Sequence, residues 1–482
     1  MTSDVIGVIA DLLNQHKESY MCSAQKRIDT SVHDVIVIGG GPAGEHCADA
    51  LAAGGLRVAV VEHELVGGDC SYWACIPAKT LLRPGEAVHS ANQAAGIAKV
   101  DVNTALAWRD LEVSDYSDTG GERWLADRGI DLIRGRGRLA GTGMVDVDGT
   151  CYRAKHVVIA TGSDALIPPV PGLRDLEGIW TNREVTGMKT VPRRLLVLGG
   201  GPVGVEMAQA VRRFGGEVAV VESVAHLLPR EPRPLGDALA DALRRDGVEL
   251  ALGVQAIRAR REGADYILDL NDGRTLIGDR LLVAAGRRPR VEGLGLETVG
   301  IEPEGHGIQV DARLRAGERL WAIGDVNAIW QLTHVGKYQA RIVAANILGT
   351  PREANYEAVP RVIFTDPQAA SVGAAEATYS ATVLVADVAR TRTYMRDTQG
   401  SGFLTLLSNG ERLTGAYALG PEAGEWLQQA TLAIRAHVPM TVLLDTIQPF
   451  PTFSEIYVDA LKSLHHRITQ ERPQVRAATQ TG

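Results

Sequence analysis

An internal repeat constrains this chain more than any other feature. Residues 35–62 read VIVIGGGPAGEHCADALAAGGLRVAVVE and residues 195–222 read LLVLGGGPVGVEMAQAVRRFGGEVAVVE, 160 residues further on and without a gap. Each copy is an apolar run, a G-x-G-x-x-G, a helical stretch, and a second apolar run that ends in an acid. The runs VIVI, LLVL and the two VAVV are nearly continuous in apolar residues, the pattern of parallel strands buried on both faces. Each copy is therefore a strand–helix–strand unit, and the fold class it predicts is α/β with two Rossmann-like domains.

The glycines carry the chemistry. Gly39 and Gly199 permit the tight turn after the strand. Gly41 and Gly201 let the backbone approach a pyrophosphate, and Gly44 and Gly204 let the helix pack closely on the strand. Pro42 and Ala43 complete the first turn, where the helix N-terminus offers N–H groups to phosphate. Glu62 and Glu222 close the second strands, where a carboxylate can accept from ribose hydroxyls. Two complete units point to two dinucleotides, and one site can hold FAD permanently while the other can take a nicotinamide. Glu222 would repel a 2′-phosphate, and the SVAHLL that follows it has no Arg or Lys. Arg230 lies further on and reads as a solvated charge, so NADH is expected over NADPH.

Bulk properties narrow the class. A chain of 482 residues exceeds what one core supports, so two to four domains are expected. A net charge of -8 argues against nucleic acid or an anionic membrane as partner. No apolar run approaches the roughly 18–20 residues of a membrane span. The opening MTSDVIGVIADLLNQHKESY lacks a basic leader region and reads as a short amphipathic extension. Five cysteines are too few for a disulfide framework and point to a reducing, cytoplasmic setting.

Two of those cysteines, Cys70 and Cys75, stand in GGDCSYWACIPAK at 67–79. By themselves they are a redox pair, two metal ligands or two neighbouring buried thiols. Cys22, Cys47 and Cys151 supply no second ligand cluster, so no metal site is expected. Pro77 and AKTLLRP predict a helix beginning near the pair. A slightly distorted first turn could bring the sulfurs together, and a helix N-terminus lowers a thiol's pKa.

The chain resembles the flavoprotein pyridine nucleotide–disulfide oxidoreductases, the group of dihydrolipoamide dehydrogenase, glutathione reductase and mercuric reductase. The resemblance covers about residues 33–465. It rests on the two glycine motifs, GGxCxxxxCIPxK at 67–79, ATGS at 160–163, AGRRP at 285–289, WAIGDVN at 321–327, FTDP at 364–367 and PTFSE at 451–455. It implies an extension 1–32, an FAD domain 33–165, an NAD domain 166–290, a central segment 291–356 returning to the FAD domain, an α+β dimerisation domain 357–468 and a tail 469–482. It also implies a homodimer whose C-terminal domain completes the partner's active site. Gly68, Asp69, Thr161, Gly162, Gly286, Gly324, Asp325 and His334 then fall at the cofactors, with Asp325 on the FAD ribityl chain or phosphates. Lys79 pairs with Glu206 near the flavin. Cys75 becomes the charge-transfer thiolate and Cys70 the interchange thiol. Trp73 is larger than the residue the family usually has there, which predicts altered substrate access.

The pattern breaks at one place. Disulfide-reducing members have a C-terminal His-Pro-Thr and a downstream Glu as the base and its orienter. Here the segment is IQPFPTFSEIY: Glu455 is present, but Phe450 takes the histidine's place. Mercuric reductase also lacks that histidine, yet it has a C-terminal cysteine pair, and this chain has no cysteine after Cys151. His465 and His466 lie past the motif and read as solvated. The expected acceptor is a small molecule other than lipoamide: a quinone, a metal ion or a small oxidant. The alternatives are a flavin-dependent enzyme acting on a specialised biosynthetic metabolite or dithiol, and a non-catalytic flavin-binding subunit.

Overall fold

The computed structural model describes residues 27–94, 96–302, 307–388 and 402–471. The amphipathic segment at the start and the tail from 472 lie outside these residues. The described chain forms two compact units.

The first unit takes residues 27–77, Asp110–Ala165 and Arg287–Ala354. Its sheet runs in the order Arg315–Gly317, Leu320–Ala322, Thr150–Ile159, Arg27–Ile38, Val58–Glu62, Asp131–Arg134, with the hairpin Gly137–Leu139 and Met144–Val147 attached to Thr150–Ile159. The two strands of the first repeat pair in parallel, Val35 with Val58 through Ile38 with Val61. The apolar run explains itself in packing. Val35 and Val37 face Leu51 and Val343, on the side covered by the helices Pro42–Ala53 and Thr333–Ile347. Ile36 and Ile38 face Val145, Leu296 and Ile308 on the other side. An alternating polar strand could not fill both faces. The first strand starts at Arg27, upstream of the apolar run that opens the repeat at Val35, because its early residues pair in parallel with Thr150 and Cys151.

The second unit takes Ala78–Arg109, Leu166–Gly286 and 355–471. Its parallel sheet has the order Glu249–Leu252, Glu217–Glu222, Arg194–Leu198, Arg280–Val283. The second repeat pairs as the first does, Leu195 with Val218 through Leu198 with Val221. A separate antiparallel sheet joins Arg361–Ile363, Gln368–Gly373, Leu413–Gly420, Phe403–Ser408 and Tyr379–Leu384. The helices Gln428–Arg435 and Ile456–Glu471 pack on it through Ala430, Ile434, Leu461 and Leu464. The architecture is thus two Rossmann-like folds and a C-terminal α+β layer. Among the described residues no helix is long and apolar enough to cross a membrane.

Candidate functional site

The two glycine turns are built alike. Gly39 and Gly199 have φ of 110° and 117°, a region that glycine enters without strain. A Cβ on Gly44 would lie 1.9 Å from the Gly39 carbonyl oxygen, and one on Gly204 would lie 2.0 Å from that of Gly199. Any side chain there would push the helix off its strand. In front of the turns there is room. A Cβ on Gly201 would meet nothing within 4 Å, and one on Gly41 only the Gly68 Cα at 3.9 Å. These are cradles that a phosphate chain fits.

Glu62 and Glu222 do more than sequence suggests. Glu62 accepts from the Gly40 and Glu64 N–H groups, each at 2.7 Å. Glu222 accepts from Gly200 at 2.7 Å and Val224 at 2.9 Å. Each acid braces its own phosphate turn, and its remaining lone pairs are what a ribose hydroxyl would use.

The cysteines lie on two helices rather than at the start of one. Cys70 sits in the short helix Gly68–Tyr72 and Cys75 opens the helix Cys75–Ala94. The break falls at Trp73, whose φ of -135° and ψ of 8° are not helical and whose N–H bonds back to the Asp69 carbonyl. This break is the distortion that brings the sulfurs together. Both are free thiols in this structure rather than the expected disulfide. Cys70 is hydrogen-bonded to Cys75, which pushes the Cys70 thiol well above its ordinary range, and burial pushes it further; Thr333 and the positive charge of Lys337 pull it back. The lowered thiol expected at a helix N-terminus is therefore not Cys70, which lies outside the longer helix. Trp73 stacks on Tyr116, ring centroids 6.2 Å apart, beside the pair.

Thr333 is a residue the sequence reading missed. Its Oγ1 lies 3.2 Å from Cys70 Sγ and 3.4 Å from Cys75 Sγ. The neighbouring His334, expected at the cofactor, is exposed, so it is not a buried core histidine.

A second cluster gathers residues 69, 163, 287, 290 and 325. Asp325 Oδ2 accepts from Ser163 Oγ at 2.6 Å. Arg287 donates to Ser163 Oγ at 2.7 Å and to Asp69 Oδ2 at 2.8 Å. Burial raises the Asp325 carboxyl and the Asp69 charge adds to the rise, while Ser163, Arg287 and Arg290 oppose it. Thr161 Oγ1 donates to the Arg290 carbonyl at 2.8 Å, and Gly162 carries φ of 76°. Gly324 donates its N–H to Gln339 Oε1 at 2.6 Å, fixing the turn that presents Asp325. Gly286, with φ of 134°, accepts from the Leu166 N–H at 2.9 Å. Ser163, Arg287, Arg290 and Gln339 are unforeseen, although Ser163 and Arg287 stand inside the quoted ATGS and AGRRP motifs.

In the second unit Lys79 Nζ lies 2.8 Å from Glu206 Oε2, and Glu206 is only 4% exposed. The other carboxylate oxygen accepts from the Phe364 N–H at 2.9 Å, and Lys79 Nζ stands 4.7 Å above the Phe364 ring. This pair is locked from both sides. Lys79 is also one turn along from Cys75 on the same helix. Phe450 is 69% exposed, and Glu455 ends a short turn, Phe453–Glu455, that follows it. His465 and His466 are exposed on the last helix. Among the described residues no cluster of His, Cys, Asp and Glu could hold a metal ion.

Comparison with known proteins agrees with this fold. The family model of the pyridine nucleotide-disulphide oxidoreductases matches residues 33–340, and that of their dimerisation domain matches 359–461. A dihydrolipoyl dehydrogenase of Thermus scotoductus is 34% identical over 454 residues, 90% of this chain and 97% of that protein. A mercuric reductase of Bacillus cereus is 30% identical over 464 residues, 91% of this chain and 73% of that protein. Among solved structures, the Cu(II) complex of the HOCl-induced flavoprotein disulfide reductase RclA from Escherichia coli matches with a TM-score of 0.81 and 28% identity, covering 90% of this chain and 100% of that one.

Proposed function

Since the chain belongs to the pyridine nucleotide-disulphide oxidoreductases, with FAD and a pyridine nucleotide as cofactors, we propose that it is an NADH-preferring homodimer that passes electrons through Cys70 and Cys75 to a small acceptor other than lipoamide. The acceptor classes are a quinone, a metal ion or a small oxidant. Bound FAD supplies the relay between nicotinamide and sulfur. Reduction of the disulfide consumes one NADH and one proton and gives two thiols and NAD⁺. The thiols pass the electron pair to the acceptor, give up their two protons to the acceptor or to water, and close the disulfide again.

The residues of this chain hold and poise those groups. Gly39, Gly41, Pro42, Ala43, Gly44 and Glu62 would hold the FAD diphosphate and ribose, with Gly68, Asp69, Thr161, Gly162, Gly324, Asp325 and His334 along the rest of the cofactor. Gly199, Gly201, Gly204, Glu222 and Gly286 would hold NADH. Glu222 keeps a negative charge where NADPH would carry its extra phosphate. Lys79, fixed by Glu206, brings a positive charge to the helix that begins at Cys75. The hydrogen bond between Cys70 and Cys75 holds the proton on the Cys70 thiol. Leu432, Val442, Ile447 and Phe450 are exposed apolar residues of the segment that matches the dimerisation domain, and a second copy of the chain would cover them.

Phe450 carries the choice of acceptor. A phenyl ring cannot take a proton from the interchange thiol, and no residue from Ile447 to Ser454 is a base. An acceptor that demands little proton transfer suits such a site. An acceptor screen tests this: quinones, metal ions and small oxidants should turn over with NADH, and lipoamide should not. Phe450→His should then raise lipoamide turnover about 100-fold. Fast lipoamide reduction by the wild type, or no gain in the variant, would refute the reading.

A further inference from the structure

We propose that the Thr333 hydroxyl is a hydrogen-bond donor shared by the two sulfurs, which turns to whichever of them is charged and so sets the pH at which the reduced pair carries a thiolate. The inference rests on the reading of Cys70 and Cys75 as the redox pair.

The geometry allows one hydroxyl to serve both atoms. Oγ1 stands 3.2 Å from Cys70 Sγ and 3.4 Å from Cys75 Sγ, within reach of a hydrogen bond to a large sulfur in either direction. A threonine hydroxyl has one proton and rotates to suit its acceptor. After the reduced pair loses one proton, one S–H and the Thr333 O–H remain as donors to one negative sulfur. If Cys75 is charged, both donors reach it. If Cys70 is charged, the hydroxyl turns to it, and the Cys75 S–H takes the place of the Cys70 S–H as the second donor. No base is needed for either state. This matters in a chain whose C-terminal segment offers Phe450 where the family has an imidazole.

The hydroxyl is held there by the fold. Thr333 is the first residue of the helix Thr333–Ile347. That helix lies close on the first nucleotide turn: a Cβ on Gly336 would meet the Ala43 Cβ at 3.1 Å and the Gly324 Cα at 3.5 Å. The start of the helix is thus fixed against the cofactor turn, and Thr333 with it. Lys337 follows one turn later on the same face, and its charge acts on Cys70 in the same sense as the hydroxyl. Beyond Lys337 stand Glu45 and His46 on the helix Pro42–Ala53, both under its charge, and Tyr72 lies on the Cys70 helix, under the charge of Glu45. None of these groups changes when Thr333 alone is replaced.

The test uses the flavin-loaded protein, reduced chemically and then alkylated with iodoacetamide across a pH series, with each cysteine followed by mass spectrometry. Thr333→Val keeps the shape and removes the donor. It should move the midpoint of the alkylation profile up by about one pH unit, a tenfold smaller thiolate fraction near neutrality. Thr333→Ser should return it to the wild-type value. An unmoved midpoint in Thr333→Val overturns the proposal, and so does a serine variant that behaves like valine. If the valine variant does not fold, Thr333→Ala makes the same comparison with serine. The redox reading is tested separately by reducing the wild type with NADH instead. If NADH does not expose the two cysteines to alkylation, that reading falls, while the chemically reduced series still decides the role of Thr333.

Discussion

In the first nucleotide fold a Cβ on Gly44 would lie 1.9 Å from the Gly39 oxygen, and in the second a Cβ on Gly204 would lie 2.0 Å from the Gly199 oxygen. Gly40 and Gly200 donate to Glu62 and Glu222 at the same 2.7 Å. The turns are copies; what lies over them is not. Each turn receives one backbone bond, Gly67 N–H to the Gly40 carbonyl at 2.8 Å and Leu228 N–H to the Gly200 carbonyl at 2.9 Å, but over the first the Gly68 backbone also comes so near that a Cβ on it would stand 2.9 Å from the Gly41 Cα. The segment that roofs this turn is the one that carries Cys70. Over the second, nothing comes within 4 Å of a Cβ on Gly201. One geometry thus serves two purposes. A roofed turn suits a cofactor that stays, with the redox pair anchored to its holder. An open turn suits a nucleotide that must come and go.

The sharpest way to break this comparison is to spoil each turn in turn. Gly44→Ala and Gly204→Ala put the same methyl against the same backbone oxygen. Each should cost at least the about 1–3 kcal/mol of an overpacked core. Gly44→Ala should be purified without flavin absorbance. Gly204→Ala should keep the colour and lose reduction by NADH. If both lose colour, or neither does, the division of labour between the folds is wrong. The braces offer a milder version. Glu222→Ala strips the buried Gly200 N–H and the part-buried Val224 N–H of their acceptor, and the buried loss alone costs about 1–3 kcal/mol. The KM for NADH should rise tenfold or more with flavin content unchanged. Glu222→Arg should move the NADPH-to-NADH ratio of kcat/KM at least tenfold toward NADPH, and an unchanged ratio would remove the charge argument for NADH.

Much of this is legible in the sequence. The repeat, its strands and its glycine turns follow from an apolar period and a spacing that have few other solutions. The acids at 62 and 222 were also legible, but only as ribose partners. Their bonds to Gly40 and Gly200 need the two ends of the unit to meet in space. The break at Trp73 was hidden because Pro77 marks a helix start without marking where the preceding turn stops. Thr333 was hidden for a different reason. A threonine opening a helix is ordinary, and its sulfur partners lie more than 250 residues away in the chain. The resemblance puts the neighbouring His334 at the cofactor, yet the hydroxyl bonded to the sulfurs is that of Thr333. Arg287 and Ser163 were inside motifs already singled out. What the motifs lacked was any sign that the two would meet Asp69 and Asp325 in one cluster.

The smallest expected effect concerns a place where the repeat itself diverges. Directly after the last glycine of each motif the second fold has Val205, fully buried, and the first has Glu45. Burial pushes the Glu45 carboxyl from 4.5 up to about 7, the charge of Glu62 adding to the rise and Lys337 opposing it. The folded protein therefore binds a proton here that the unfolded chain releases between about pH 4.5 and 7. The stability this proton contributes is complete below the lower value, falls as the pH rises through the interval and is absent above the upper one. Glu45→Gln keeps the shape and removes the titration. Its melting temperature should match the wild type near pH 4.5 and exceed it above pH 7. The gain should be on the order of 1–2 kcal/mol, below the full value of the shift because water still reaches part of the carboxyl. A gain equal at both pH values would mean that burial does not raise the Glu45 carboxyl in the folded protein.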